Sequence, residues 1–175
     1  MTDTTEHTPK KVFRIGDHVD YVGPRSRTFI SVLDDRTVFF YFEGTSDVDS
    51  FELMRPALEE VAKSGRVYIF SDGEFNKAST PANREAWTKW FQAHPGKVVE
   101  TNVLFPSAIL QMTLQVVTTI TSEQMTHLPD ANAFYTKLRA QSPSIIRHAR
   151  NWPADISARV QESAFGKPSM RRIPK

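Results

Sequence analysis

Two runs of apolar, β-branched and aromatic residues, Thr28–Leu33 and Thr37–Glu43, flank the polar Asp34-Asp35-Arg36 and predict a β-hairpin. The second run contains Val38-Phe39-Phe40-Tyr41-Phe42 without polar alternation, the pattern of a central strand covered on both faces. Ahead of the hairpin, Val12–Ile15 and His18–Val22 read as short extended pieces closed by Gly23-Pro24. After it, Val48, Phe51, Leu58, Val61 and Ala62 fall near helical spacing. Ser46 as N-cap, with Asp49 three positions on, would start that helix, and Ser64-Gly65 would stop it. Arg66–Phe70 is a second apolar strand that ends at Ser71-Asp72-Gly73, leaving Asp72–Pro81 as a loop.

Thr80-Pro81 opens the next helix, because proline in the first turn loses no intrahelical hydrogen bond. Its apolar face is Ala86, Trp87, Trp90 and Phe91, and it runs to about His94 before Pro95-Gly96. A strand follows over Val98–Phe105, then an uncharged helix over Ser107–Ile120, a short strand near Met125–Leu128 and an amphipathic helix over Asp130–Ala140. A hairpin followed by alternating helices and strands predicts an α/β fold: a mixed, mostly parallel sheet with an antiparallel N-terminal hairpin, flanked by helices. The domain is placed at residues 12–142, after a disordered N-terminus over 1–11. A basic C-terminal extension over 143–175 follows, with a helical piece such as Ala154–Ala164.

Composition sharpens this. With 39% hydrophobic residues in 175, the chain can bury a core without staples, and having no cysteine it has no disulfide framework, thiolate chemistry or cysteine zinc site. The first twelve residues are polar and include Asp3 and Glu6, unlike a secretory signal; together with the absence of a membrane-spanning run, this places the chain in the cytoplasm. The net charge of +2 is uneven. Residues 143–175 carry seven Lys/Arg against Asp155 and Glu162, or +5, so the first 142 residues sum to −3. A solvated basic tail accounts for that split, and no basic motif interleaved with aromatics argues for nucleic acid.

The chain has no G-x-G-x-x-G, P-loop, G-x-S-x-G or H-E-x-x-H motif, and its five histidines lack metal-ligand spacing. One acidic group stands at the carboxyl ends of two neighbouring strands, where open α/β sheets place ligands: Glu43, Asp72 and Glu74, a carboxylate set suited to a hard cation such as Mg²⁺. No lysine or glycine loop completes a phosphoryl-transfer site beside it. Ser79 and Thr80 present hydroxyls at a helix N-terminus, where backbone N–H groups and the helix dipole favour negative charge, including that of an added phosphate. Ordinary capping by Thr80 accounts for the same residues. The stripes Ile109, Met112, Val116, Ile120 and Leu110, Leu114, Val117 make Ser107–Ile120 apolar on more than one face, fit for burial or for a second subunit.

In order and layout the chain resembles the STAS domains, named for sulphate transporters and anti-sigma-factor antagonists, and in particular the antagonist-like branch of bacteria. The resemblance covers about residues 28–140. It rests on Phe42-Glu43-Gly44-Thr45 after the hairpin, Gly65-Arg66 after the first helix, and the strand Val67-Tyr68-Ile69-Phe70-Ser71-Asp72. Ser79-Thr80-Pro81-Ala82-Asn83-Arg84 and Leu128-Pro129-Asp130-Ala131-Asn132-Ala133-Phe134 complete it. It implies a non-enzymatic signalling module without cofactor, docking through Asp72, Ser79 and Thr80 on a regulatory kinase or other protein and switched by phosphorylation. The signalling members carry Ser-Gly or Thr-Gly at this place; this chain has Thr80-Pro81.

The alternative is a small-molecule protein holding an apolar or lipid-like ligand between the sheet and Ser107–Ile120, with Phe39, Phe42, Phe70, Trp87, Trp90, Phe91 and Phe105 as its aromatic stock.

Overall fold

A computed structural model describes residues 12–106 and 125–162. Six strands form one sheet in the order β1-β2-β3-β4-β5-β6: β1 His18–Val22, β2 Ser26–Val32, β3 Thr37–Ser46, β4 Val67–Ser79, β5 Val98–Leu104 and β6 Met125–His127. The β1–β2 and β2–β3 pairs are antiparallel; β3–β4, β4–β5 and β5–β6 are parallel. Helices α1 (Val48–Ala62) and α2 (Pro81–Ala93) cross over on one face, and α3 (Ala131–Gln141), the single turn α4 (Ile145–His148) and α5 (Ala154–Glu162) cover the other. This is the predicted mixed sheet with its antiparallel N-terminal hairpin.

The unbroken apolar run of β3 resolves into two cores by parity, since successive side chains leave opposite faces of a strand. Val38, Phe40 and Phe42 join Ile30, Ile69, Leu58, Val61 and Phe91 beneath α1 and α2. Phe39 and Tyr41 join Phe29, Phe70, Phe134, Leu138 and Trp152 on the other side, where Trp152 stacks on Phe39 at 5.3 Å.

Several expectations are corrected. Val12–Ile15 forms no strand, and of these four residues only Phe13 is buried. The cap of α1 is Asp47 rather than Ser46; its carboxylate accepts the Ser50 N–H at 3.0 Å, while Ser50 Oγ accepts the Asp47 N–H, a complete capping box. Ser46 instead ends β3, where its carbonyl accepts the Thr80 N–H at 3.0 Å. The segment Asp72–Ser79 is not a loop: β4 pairs with β3 as far as Ser46–Ser79, taking up two register shifts on the way. Glycines make this continuation possible. A Cβ on Gly73 would lie 2.1 Å from the Phe105 ring, and Gly44, at φ +82°, passes so close to the Arg25 carbonyl that a Cβ would lie 2.1 Å from it.

Residues 143–162 are no solvated tail, because Ile145, Ala149, Trp152, Ile156 and Val160 are buried in the second core. The helix read over Ser107–Ile120, the N-terminal stretch 1–11 and residues 163–175 lie outside the described residues. No helix among the described residues is long and apolar enough to cross a membrane.

Candidate functional site

The sheet presents the carboxyl ends of β3 and β4 at one edge, and Glu43, Asp72, Glu74, Ser79 and Thr80 lie along it. They fall on two different faces.

On the face of α3 and α5, Asp72 is completely buried. Its Oδ2 accepts hydrogen bonds from Tyr135 Oη at 2.5 Å and Arg159 Nε at 2.8 Å, and its Oδ1 accepts the Glu74 N–H at 3.2 Å. Arg159 also donates to Glu74 at 2.7 Å and lies 5.0 Å from the centroid of the Phe75 ring. The cation gathered by Asp72 and Glu74 is therefore a guanidinium. Glu43 accepts from Tyr41 Oη at 3.3 Å, and among the described residues no group of three His, Cys, Asp or Glu is arranged to hold a metal ion.

Burial alone would lower the pKa of Arg159, but the charge of Asp72 and the bonds to both carboxylates raise it instead. Burial also pushes the Tyr135 phenol well above its ordinary value, and the Asp72 charge adds to that. A second ion network lies nearby: Arg27 holds Asp20 through two nitrogens, at 2.8 and 2.9 Å, and Asp155 of α5 at 2.5 Å. Together they fasten α5 to the sheet. Asp72, read from the sequence as a partner-facing residue, is placed inside the protein as part of this fastening.

On the face of α1 and α2, β4 passes directly into α2. Thr80 Oγ1 caps the helix by accepting the Asn83 N–H at 3.2 Å, as its sequence position predicts. Ser79 Oγ accepts from Asn83 Nδ2 at 3.0 Å, and the Arg84 guanidinium donates to the Ser79 carbonyl. Both hydroxyl residues are half-buried. A phosphate on Ser79 would find an amide N–H and a guanidinium within its reach, donors that suit an anion.

Beneath this junction lies a cavity of about 60 Å³, walled by Phe42, Trp87, Phe91 and Phe105 and bordered by Ser79 and Arg84. Asn76, Asn83 and Thr101 also line it, and their Oδ1, Oδ1 and Oγ1 atoms are buried without a hydrogen-bond partner among the described residues. Phe39 and Phe70, offered with the others as ligand-lining aromatics, belong to the opposite core. The void is also small: a cavity of about 150 Å³ is what admits benzene, so this one does not enclose an acyl chain.

With the order of strands, the two helical layers and the strand–helix junction in place, a comparison of folds is decisive. An uncharacterized protein from the DUF3478 family with a SpoIIAA-like fold, from Shewanella loihica PV-4, superposes with a TM-score of 0.50 over 65% of this chain and 94% of that one, at 14% sequence identity. The fold is SpoIIAA-like. It is the architecture of the STAS antagonists that the sequence resembles, and at this identity the likeness extends to the fold alone. No family model matches the sequence, and no curated protein matches it. In the SpoIIAA-like frame, sequence reasoning finds the Ser79–Thr80 junction but misses Tyr135, Arg159, Asn76 and Thr101. Tyr135 and Arg159 lie 63 and 87 residues from Asp72, and no local pattern connects them.

Proposed function

We propose that this protein is a non-catalytic regulatory module of STAS type that docks a protein partner at the Ser79–Thr80 junction and along α2, with Ser79 as the phosphorylated residue. The observation that carries this reading is the junction itself. Ser79 offers a half-buried hydroxyl whose surroundings, the Asn83 side-chain amide, the Arg84 guanidinium and the N-terminus of α2, suit a phosphate. Thr80 is committed to capping α2, which favours Ser79 of the two. A regulatory kinase is the class of partner whose chemistry fits, and the bacterial cytoplasm is the compartment such signalling implies. The reading needs no arrangement of nucleophile, base and oxyanion donors.

The test is capture of partners from a lysate of the source organism, with phosphate incorporation followed by mass spectrometry. Ser79→Ala should abolish incorporation, and Ser79→Asp should change the set of captured proteins. Incorporation that survives Ser79→Ala at an unchanged level and site pattern overturns the switch.

A further inference from the structure

The sheet is bounded by β1 on one side and β6 on the other. An edge strand offers a row of unpaired N–H and C=O groups, and proteins blunt such edges with brevity, lysine, proline or a bulge. β6 has only three residues. β1 has five, His18-Val19-Asp20-Tyr21-Val22, with no lysine or proline, and its register with β2 runs unbroken from His18–Ser31 to Val22–Arg27. Its carboxylate, Asp20, is drawn back onto Arg27 at 2.8 Å. Among the described residues no strand lies beside its outer side.

The phase of the ladder fixes what that outer side presents. Gly23 N–H donates to the Ser26 carbonyl at 2.8 Å, and Val32 N–H to the Asp17 carbonyl at 3.1 Å. Antiparallel pairs alternate, so Val19 and Tyr21 turn their backbone groups toward β2, while His18, Asp20 and Val22 turn theirs outward. Apolar surface follows the same edge. Of the large hydrophobic residues exposed among those described, Val12 and Ile15 lie just ahead of β1 and Val22, at 75% exposure, ends it.

Within one residue of its centre, β1 has three in-phase ways to pair antiparallel with itself about a two-fold axis. Centred on Asp20, two carboxylates would stand opposite each other, which opposes pairing. Centred on Tyr21, His18 would face Pro24 of the partner subunit, which has no N–H to give. Centred on Val19, His18 faces the partner's Asp20 and Asp20 faces the partner's His18, an imidazole beside a carboxylate twice over. Val22 then comes opposite the partner's Gly16 and next to the partner's Ile15, so the exposed apolar residues at the two ends of the edge meet. Such self-complementarity is what an isologous contact requires.

We infer that β1 is a self-association edge, at which two copies of this chain join their sheets through antiparallel β1 strands centred on Val19. The contact uses none of the residues of the proposed Ser79 switch, and either can fail without the other.

The full chain should sediment as a dimer at micromolar concentration. Val22→Lys, at a position exposed in the single chain, should abolish the dimer without lowering the melting temperature. His18→Asp sets carboxylates opposite each other on both sides of the axis and should abolish it too; should that variant fold poorly, Val22→Lys decides. Since the chain has no cysteine, single cysteines report the register. Val19→Cys meets its counterpart at a Cα separation of about 4.5 Å, within the range a disulfide spans, and should cross-link on oxidation. Val22→Cys lies about 20 Å along the strands from its counterpart and should not. The inference is overturned by a monomer at these concentrations, by open-ended polymer in place of a dimer, or by a dimer that persists in Val22→Lys. It is equally overturned if Val22→Cys cross-links as fast as Val19→Cys.

Discussion

On the side of the sheet covered by α3 and α5, both oxygens of the buried Asp72 carboxylate accept hydrogen bonds, and its charge is balanced by Arg159. On the side covered by α1 and α2, less than a strand's length away, Asn76, Asn83 and Thr101 leave oxygens unpaired around a void. The same strand, β4, contributes to both. The first arrangement completes itself from within the chain and fixes α5 in place; the second leaves polar groups buried in an aromatic setting. A network whose charges are closed from within the chain is the one expected to carry stability.

The comparison can be broken most forcefully at Arg159. Replacing it with alanine strands the Asp72 charge in the interior, and unfolding in urea should show a loss of about 3–5 kcal/mol; a loss below about 1 kcal/mol would mean that the network is not the fastening described. Tyr135→Phe removes one donor to a charged acceptor and should cost about 1.5–3 kcal/mol.

Tyr135 also carries a pH signature. Its pKa is raised in the folded state, first by burial and then by Asp72, so its contribution is fully present below the unfolded value of about 10 and is lost as pH rises beyond it. Melting temperatures should accordingly fall above about pH 10, and less steeply in Tyr135→Phe. The smallest effect, opposite in sign, is expected on the other face. Thr101→Val deletes a hydroxyl with no partner among the described residues at nearly constant volume, so the protein should be unchanged or more stable by up to about 1 kcal/mol. A clear destabilisation would show that the hydroxyl is already satisfied.

Much of this architecture is written locally. The run Val38–Phe42 announces a strand buried on both faces, Thr80-Pro81 marks the start of α2, and Asp130 opens α3 as its N-cap. What escapes is set by distant partners. Asp72–Ser79 is polar and contains a glycine, so it reads as a loop; pairing with the far half of β3 makes it a strand, and the Phe105 ring fills the space that Gly73 leaves open. The cap of α1 is misplaced by one residue because Ser46 and Asp47 are both competent, and the strand claims Ser46. The second core did have a signal: Ile145, Ala149, Trp152, Ile156 and Val160 recur every three or four residues, an apolar stripe obscured by the basic charge around it. Of the site, the hydroxyls at the junction were legible and the companions of Asp72 were not.

The passage of β4 into α2 with no intervening turn has a mechanical meaning. From Asp72 to Ser79 β4 takes seven steps while its partner β3 takes five, from Tyr41 to Ser46, roughly 17 Å at 3.3 Å per residue. The two extra residues are absorbed by the register shifts, so where β4 ends is set by its pairing with β3 and not by its own length. The serine therefore enters α2 from a place held by the partner strand, whose last carbonyl, that of Ser46, accepts the Thr80 N–H.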